Sequence, residues 1–340
     1  MFSRLLVLGS LAAVLVVNAC AGPEDDASSG QDSDVTGSSP ANGVTIANRG
    51  TSSDGGSGDP AADVDAASAD AASSSAPGKG SSACGKAGAP TGAITGQKIS
   101  VKGAGRSYDL FVGSAYNGKT PLPLVFVFSG AGGTGAQIRA SYPIEGQAGG
   151  KAIFVYPNAR IGSGAPPNSW DLDSVAAQNQ DILLFDALRA QLAATYCVDT
   201  TRVFAAGMSA GAYFANQLGC RRGAELRATA AHSGGGPFGS DSEYDGNGNL
   251  VCPEKPAGGA LVIHGLADGT VAPSEGAASL AYWRAADKCA AGNGASYAPS
   301  PCLALSCATG HPVVHCEIPG LGHDVWKSAA QATWKFFTQF

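Results

Sequence analysis

The sequence predicts an α/β fold over residues 84–340: a mostly parallel central sheet with helices on both faces. Three observations predict it. Short apolar runs rich in Val, Ile and Phe alternate with segments whose apolar residues recur at helical spacing. The order is strand, helix, strand, helix, which buries a parallel sheet between helices. The stretch holds about 257 residues, the size of one such domain.

The elements follow in order. "QKISVKG" and "SYDLFVG" alternate polar and apolar residues, as an antiparallel pair at a sheet edge does. "PLVFVFSG" (residues 123–130) is continuously apolar and predicts a buried strand, and "KAIFVYP" (151–157) predicts the next. "DILLFDALRAQLAATY" (181–196) has helical spacing and follows Asn179 and Gln180. "RVFAAG" (202–207) reads as a short buried strand that runs into a helix, "AYFANQLGC". "ATAAHSGG", "ALVIHG" and "VVHCEIPG" are three more strands, and "WKSAAQATWKFFTQF" closes the chain as a helix.

Before this domain the composition differs. Residues 21–83 are Ser, Gly, Asp, Ala and Pro with almost no large apolar side chains, too few to offset the entropy of ordering. They read as a flexible linker. Residues 1–20 read as a signal peptide: Arg4 precedes the apolar run "LLVLGSLAAVLVV", which is short for a membrane span. The run ends in "VNAC", which resembles the lipobox of bacterial lipoproteins and would make Cys20 the lipidated residue. The alternative is an ordinary signal peptide cut near Ala19 or Ala21. Either way the protein is expected to be exported by a bacterium, outside the cell or held at its surface by the N-terminal lipid alone. A net charge of −6 with scattered Lys and Arg argues against nucleic-acid binding.

There are nine cysteines, and setting Cys20 aside leaves an even eight, which in an exported chain reads as a disulfide set. No Cys/His spacing suggests zinc. Eight cysteines allow about a hundred pairings, so the connectivity is open. The expected pairs are Cys197–Cys220, Cys289–Cys316, Cys302–Cys307 and Cys84–Cys252.

The chemistry centres on "GMSAG", residues 207–211. In a chain with 48 Gly the bare Gly-x-Ser-x-Gly pattern arises by chance about as often as not, so context decides. Ser209 sits where a buried strand meets a helix, the setting of a nucleophile elbow. The helix N-terminus there favours developing negative charge. A base is expected from His323 in "PGLGHDVW", a Gly-rich loop between the last strand and the last helix. His232, His264, His311 and His315 read as structural. The acid is expected from Asp268 in "HGLADGTV", with Asp241, Asp245 and Asp287 as competitors. The loop "DSEYDGNGN" lacks the order of an EF-hand and reads as a solvated turn rather than a Ca²⁺ site. The N–H groups of Ala210 and of Ala131, in the Gly-rich "SGAGGTG" loop, are the expected oxyanion donors.

With these residues in hand, residues 83–340 resemble the secreted feruloyl esterases and acetylxylan-type esterases grouped with extracellular polyhydroxybutyrate depolymerases. The matching landmarks are "PLVFVFSGAGGTG", "NSWDLDS", "YCVDTTRVFAAGMSAGAYFANQLGC", "LVIHGLADGTV" and "CEIPGLGHDVW". The resemblance implies an α/β-hydrolase fold and a triad that falls on Ser209, Asp268 and His323. It also implies that Trp170 lies near the substrate, where it would stack on a sugar or phenolic ring, unless it is a core residue. Members usually carry His-Gly where this chain has Ser129-Gly130, in the loop that shapes the oxyanion site. The expected activity is hydrolysis of feruloyl or acetyl esters on plant cell-wall polysaccharide, by a monomer, with no cofactor and no metal. A polyhydroxyalkanoate depolymerase is the alternative within the enzymes. A surface lipoprotein that keeps the fold and only binds glycans is the alternative outside them.

Overall fold

The computed structural model describes residues 78–86, 88–160, 168–172, 174, 176–237, 244–246, 250–253 and 255–340. The signal peptide, Cys20 and the linker up to residue 77 lie outside the described residues, as do Asp241 and most of the 241–249 loop.

The elements in chain order are β1 (Gly92–Val101), β2 (Ala104–Val112), β3 (Leu122–Phe128), α1 (Gly135–Ser141), α2 (Ile144–Gln147), β4 (Ile153–Pro157), α3 (Gln180–Thr195), β5 (Val198–Met208) and α4 (Ala210–Arg221). They continue with β6 (Ala228–His232), β7 (Ala260–Gly265), α5 (Pro273–Ala286), β8 (Ala295–Ser296), β9 (Leu303–Ala304), β10 (Val313–Ile318) and α6 (Ala329–Phe337). All strands join one sheet in the order β1-β2-β4-β3-β5-β6-β7-β10-β9-β8. The six strands from β4 to β10 in that order are parallel, and antiparallel strands close both ends. "QKISVKG" and "SYDLFVG" form the expected antiparallel pair.

Burial on both faces explains the continuous apolar runs. Along β3, Leu124, Phe126 and Phe128 belong to one core cluster, and Val125 and Val127 to the other. The first cluster packs under α3, α4 and α5 through residues such as Phe185, Phe214 and Trp283. The second packs under α1, α2 and α6 through Ile138, Ile144 and Phe336. A strand buried on both faces cannot alternate, so β3, β4, β6 and β7 are buried at every position.

Local signals set the helix starts. The Asn179 side chain accepts the N–H groups of Asp181 and Ile182 at 3.0 and 2.9 Å, so it caps α3. The next turn carries a buried ion pair. Asp181, 1% exposed, takes the Arg106 guanidinium of β2 on one oxygen and the Asp171 N–H, at 2.8 Å, on the other. Arg106 also donates to the Asn158 carbonyl at 3.0 Å. This group binds the β1–β2 hairpin, the end of β4 and the start of α3 into one unit.

Two expectations are corrected. The folded domain starts before residue 84: Ser81 N–H donates to the Val198 carbonyl, Thr200 N–H donates to Lys79, and Ala83 is buried. The disulfides are Cys84–Cys197, Cys220–Cys252, Cys289–Cys307 and Cys302–Cys316, and none of the four expected pairs forms. Spatial neighbours decide each one. The 79–81 segment runs beside the start of β5 and brings Cys84 to Cys197. Ala257 N–H donates to the Gly219 carbonyl, which brings the 250–257 segment to the end of α4. Ala290 N–H donates to Ser306, next to Cys289 and Cys307. Pairing of His315 with Leu303 places Cys302 opposite Cys316. Four disulfides belong to an extracellular, oxidising setting.

The Arg106–Asp181 unit predicts a stability effect. Asp181→Ala leaves a buried guanidinium without its counter-charge and is expected to lower unfolding stability by about 3–5 kcal/mol. Urea unfolding of the two proteins measures it.

Candidate active site

The site is built on one turn. β5 ends at Met208 and α4 begins at Ala210, so Ser209 alone makes the reversal. Its φ of 57° lies in the left-handed region, which a non-glycine residue adopts at a cost of about 1–3 kcal/mol. Both flanking glycines are required by close approach. A Cβ on Gly207 would stand 2.1 Å from the Gly211 carbonyl oxygen, and one on Gly211 would stand 2.3 Å from that of Phe128. The Ser209 N–H donates to the His232 carbonyl at 2.9 Å, which ties the turn to the end of β6.

Two other strand ends supply the partners. Asp268 follows β7 by three residues, with its side chain fully enclosed. Its Oδ1 accepts the N–H groups of Thr270 and Val271, each at 2.9 Å. Its Oδ2 lies 2.8 Å from Nδ1 of His323, in the loop after β10. Nε2 of His323 lies 2.9 Å from Oγ of Ser209. A carboxylate only accepts, so His323 carries its proton on Nδ1 and offers a lone pair to the serine hydroxyl. Burial pushes the Asp268 carboxyl up. The hydrogen bond from His323 and the N–H groups of Val271 and Thr270 outweigh that, so it titrates below its ordinary 3.8. The three residues expected from the sequence therefore stand in one hydrogen-bonded line.

The loop after β3 passes beside Ser209: a Cβ on Gly130 would lie 3.2 Å from the Ser209 Cβ. Within it, Gly132 N–H donates to Asn168 and Gly133 N–H to Gly130. Neither Ala131 N–H nor Ala210 N–H, at the first residue of α4, meets an acceptor among the described residues. Ser129 is buried, and its hydroxyl has no partner among the described residues.

Trp170 does not face substrate. It is 4% exposed, stacks on Phe214 at 5.0 Å and meets Phe128 edge-on. Its indole N–H donates to the Ser129 carbonyl at 2.7 Å. The ring is core, and it holds the start of the Gly-rich loop from below. No other histidine is bonded to Ser209 Oγ among the described residues. Nε2 of His264 meets the Val271 carbonyl at 3.0 Å, and it stands 3.6 Å from Asp268. His311 is bonded to Asp287 at 2.9 Å, at the end of α5, which removes Asp287 as the acid. His315 lies on β10. His232 is fully buried, and its Nε2 accepts the Trp326 N–H at 2.9 Å. No sequence signal links residues 232 and 326. Among the described residues no group of three or more His, Cys, Asp or Glu is placed to hold a metal ion. No helix among them is long and apolar enough to cross a membrane.

The sheet order and the Ser–His–Asp line define an α/β-hydrolase. No family model matches the chain. It is 32% identical over 254 residues to "Feruloyl esterase C" of Emericella nidulans, covering 68% of this chain and 84% of that protein. It is 31% identical over 280 residues to "Probable feruloyl esterase C" of Aspergillus flavus, covering 76% of this chain and 92% of that one. Among solved structures, the acetyl xylan esterase from Aspergillus awamori superposes with a TM-score of 0.54 at 16% identity, over 71% of this chain and 98% of that one. The chain belongs to the feruloyl esterase C family and is a carboxylic ester hydrolase.

The Asp268 carboxylate predicts a pH dependence. Its lowered value means that its bonds stabilise the fold fully above 3.8 and are lost as the pH falls through that lowered value. The Tm gap between wild type and Asp268→Asn is therefore expected to shrink as the pH is lowered from about 6 to about 2. At neutral pH the same substitution disturbs the His323 tautomer and is expected to lower kcat about 10³–10⁴-fold.

Proposed function

We propose that the protein hydrolyses feruloyl or acetyl esters carried by plant cell-wall polysaccharide, with Ser209 as nucleophile. The observation that carries this is the continuous line from Ser209 Oγ through His323 to Asp268, at 2.9 and 2.8 Å. Ser209 Oγ attacks the ester carbonyl while His323 Nε2 takes its proton. Asp268 steadies the imidazolium that forms. The N–H groups of Ala210 and Ala131 receive the charge on the carbonyl oxygen. The ester C–O bond then breaks, His323 gives its proton to the departing sugar oxygen, which leaves as a hydroxyl, and the acyl group stays on Ser209. A water molecule, deprotonated by His323, attacks that acyl-enzyme. The acid leaves and Ser209 regains its proton.

A groove with several polar side chains in its wall supports a glycan ester. It encloses about 730 Å³, and its lining includes Lys98, Ser107, Thr134, Asn158, Arg160 and Asn168. Asn158 follows β4 and Thr134 follows the Gly-rich loop, so the groove opens on the same sheet edge as Ser209. β4 is two strands from β5, a distance of about 10 Å. Amides, hydroxyls and two cations match the hydroxyls and carboxylates of sugars. Polyhydroxybutyrate, with its methyl side groups, offers them little. The same proposal has the enzyme working outside a bacterial cell as a monomer anchored by lipid at Cys20, a reading that the lipobox-like "VNAC" supports for the anchor.

One assay panel tests the activity: methyl ferulate, acetylated xylan, p-nitrophenyl butyrate and polyhydroxybutyrate, with wild type and Ser209→Ala. The expected result is turnover of the first three by the wild type, with a loss of about 10⁴-fold or more in Ser209→Ala. A wild type that cleaves none of them overturns the enzyme reading, and a fully active Ser209→Ala overturns the site. For the anchor, palmitate labelling of the exported protein is expected to disappear in Cys20→Ala. Labelling that persists removes Cys20 from that role.

A further inference from the structure

We infer that His232 is a positioning residue for the reaction, acting as a neutral hydrogen-bond acceptor that holds the His323 loop at its working distance from Ser209. This rests on the Ser209–His323–Asp268 reading given above.

The loop from the end of β10 to the start of α6 must present the His323 ring while bearing no regular structure of its own. Two contacts to the rest of the domain bracket His323. On the near side, the Leu321 carbonyl accepts the Ala267 N–H at 3.0 Å, so the loop is tied to the turn that carries Asp268. On the far side, the Trp326 N–H donates to Nε2 of His232 at 2.9 Å. His232 also accepts the Ser209 N–H on its carbonyl. One residue thus grips the nucleophile's turn with its backbone and the base's loop with its ring. The span from Oγ to Nε2 of His323 is closed through it.

The tautomer follows from the partners. A backbone N–H can only donate, so Nε2 of His232 must bear the lone pair, and its proton sits on Nδ1. There it meets Ser233 Oγ, at 3.1 Å. A protonated His232 would face the Trp326 N–H with a second N–H and break the bond. Its surroundings oppose protonation: burial, then the nearby His264 and His323, push its pKa down to about 3. Tyr142 meets the ring edge-on at 6.5 Å, and its hydroxyl is committed to Thr333 of α6. The ring is therefore kept in one orientation from three sides. Such burial would suit any core residue, but an apolar one would leave the Trp326 N–H unpaired.

The experiment compares His232→Leu with His232→Gln. Leucine fills space without an acceptor, whereas glutamine can place its amide oxygen near the Nε2 position. Active sites are counted by titration with a phosphonate ester, so that kcat refers to folded, competent molecules. For methyl ferulate, His232→Leu is expected to lose about 10²-fold in kcat with KM within twofold, the signature of a misplaced base. His232→Gln is expected to recover at least tenfold of that loss. A His232→Leu enzyme with a lowered Tm but wild-type kcat per titrated site overturns the inference, because the role is then packing alone. A glutamine variant that stays folded and is no better than leucine also overturns it. A second measurement needs no variant: the nitrogen NMR signals of wild-type His232 are expected to show Nδ1 protonated and Nε2 bare at neutral pH. A protonated Nε2 overturns the inference even if both variants fail to fold. A wild type inactive on every ester contradicts the esterase reading instead, and leaves this tautomer prediction standing on its own readout.

Discussion

The structure depends on a backbone crossing. Between Gly207 and Gly211 the chain leaves β5, reverses at Ser209 and enters α4, packed so closely that a side chain at 207 would strike the Gly211 backbone and one at 211 the backbone of Phe128 and Ser129. That crossing fixes three things at once. It exposes a hydroxyl at the sheet edge and sets a helix N-terminus directly behind it. It also forces the loop after β3 to run against Ser209. The strained φ at Ser209 persists because the neighbours leave no alternative path. The sheet, with both faces buried, is what makes those neighbours immovable.

The rest of the site is an exercise in holding distant chain segments at bonding distance. Ser209, Asp268 and His323 come from the ends of β5, β7 and β10. Each is held by more than its neighbours in the line. Two backbone N–H groups fix the carboxylate, the His232 carbonyl fixes the serine turn, and two contacts bracket the histidine loop. Such redundancy suits a reaction whose rate depends on geometry more than on new binding energy. Trp170 serves the same end from beneath, since its indole pins the Ser129 carbonyl at the root of the Gly-rich loop.

What could be read from the sequence was local. Apolar runs reported burial on both faces, so β3, β4, β6 and β7 were legible, as was α3 with its Asn179 cap. The three residues of the hydrogen-bonded line, Ser209, His323 and Asp268, were legible because each follows a strand, and such strand ends are visible as a change from apolar to Gly-rich sequence. What failed was whatever depends on which segments lie side by side. Cys84 finds Cys197 because residues 79–81 lie along β5, a pairing across 113 positions that no spacing reveals. Trp170 is buried by Phe128 and Phe214, brought to it from other elements. His232 could be read as structural but not as the partner of a backbone N–H 94 residues away. The two-residue strands β8 and β9 lack the length to leave a pattern.

Those two short strands have a consequence for how copies of the chain behave towards each other. An open sheet ends in unpaired N–H and C=O groups that can accept a strand from any passing chain. Here β9 covers the edge of β10, β8 covers β9, and the Cys302–Cys316 bond fastens the cover in place. The last strand offers only two residues, too short a rail for a neighbour to zip onto. A protein in an oxidising extracellular medium thus carries at that end a guard against edge-to-edge pairing, fastened by a bond that such a medium preserves.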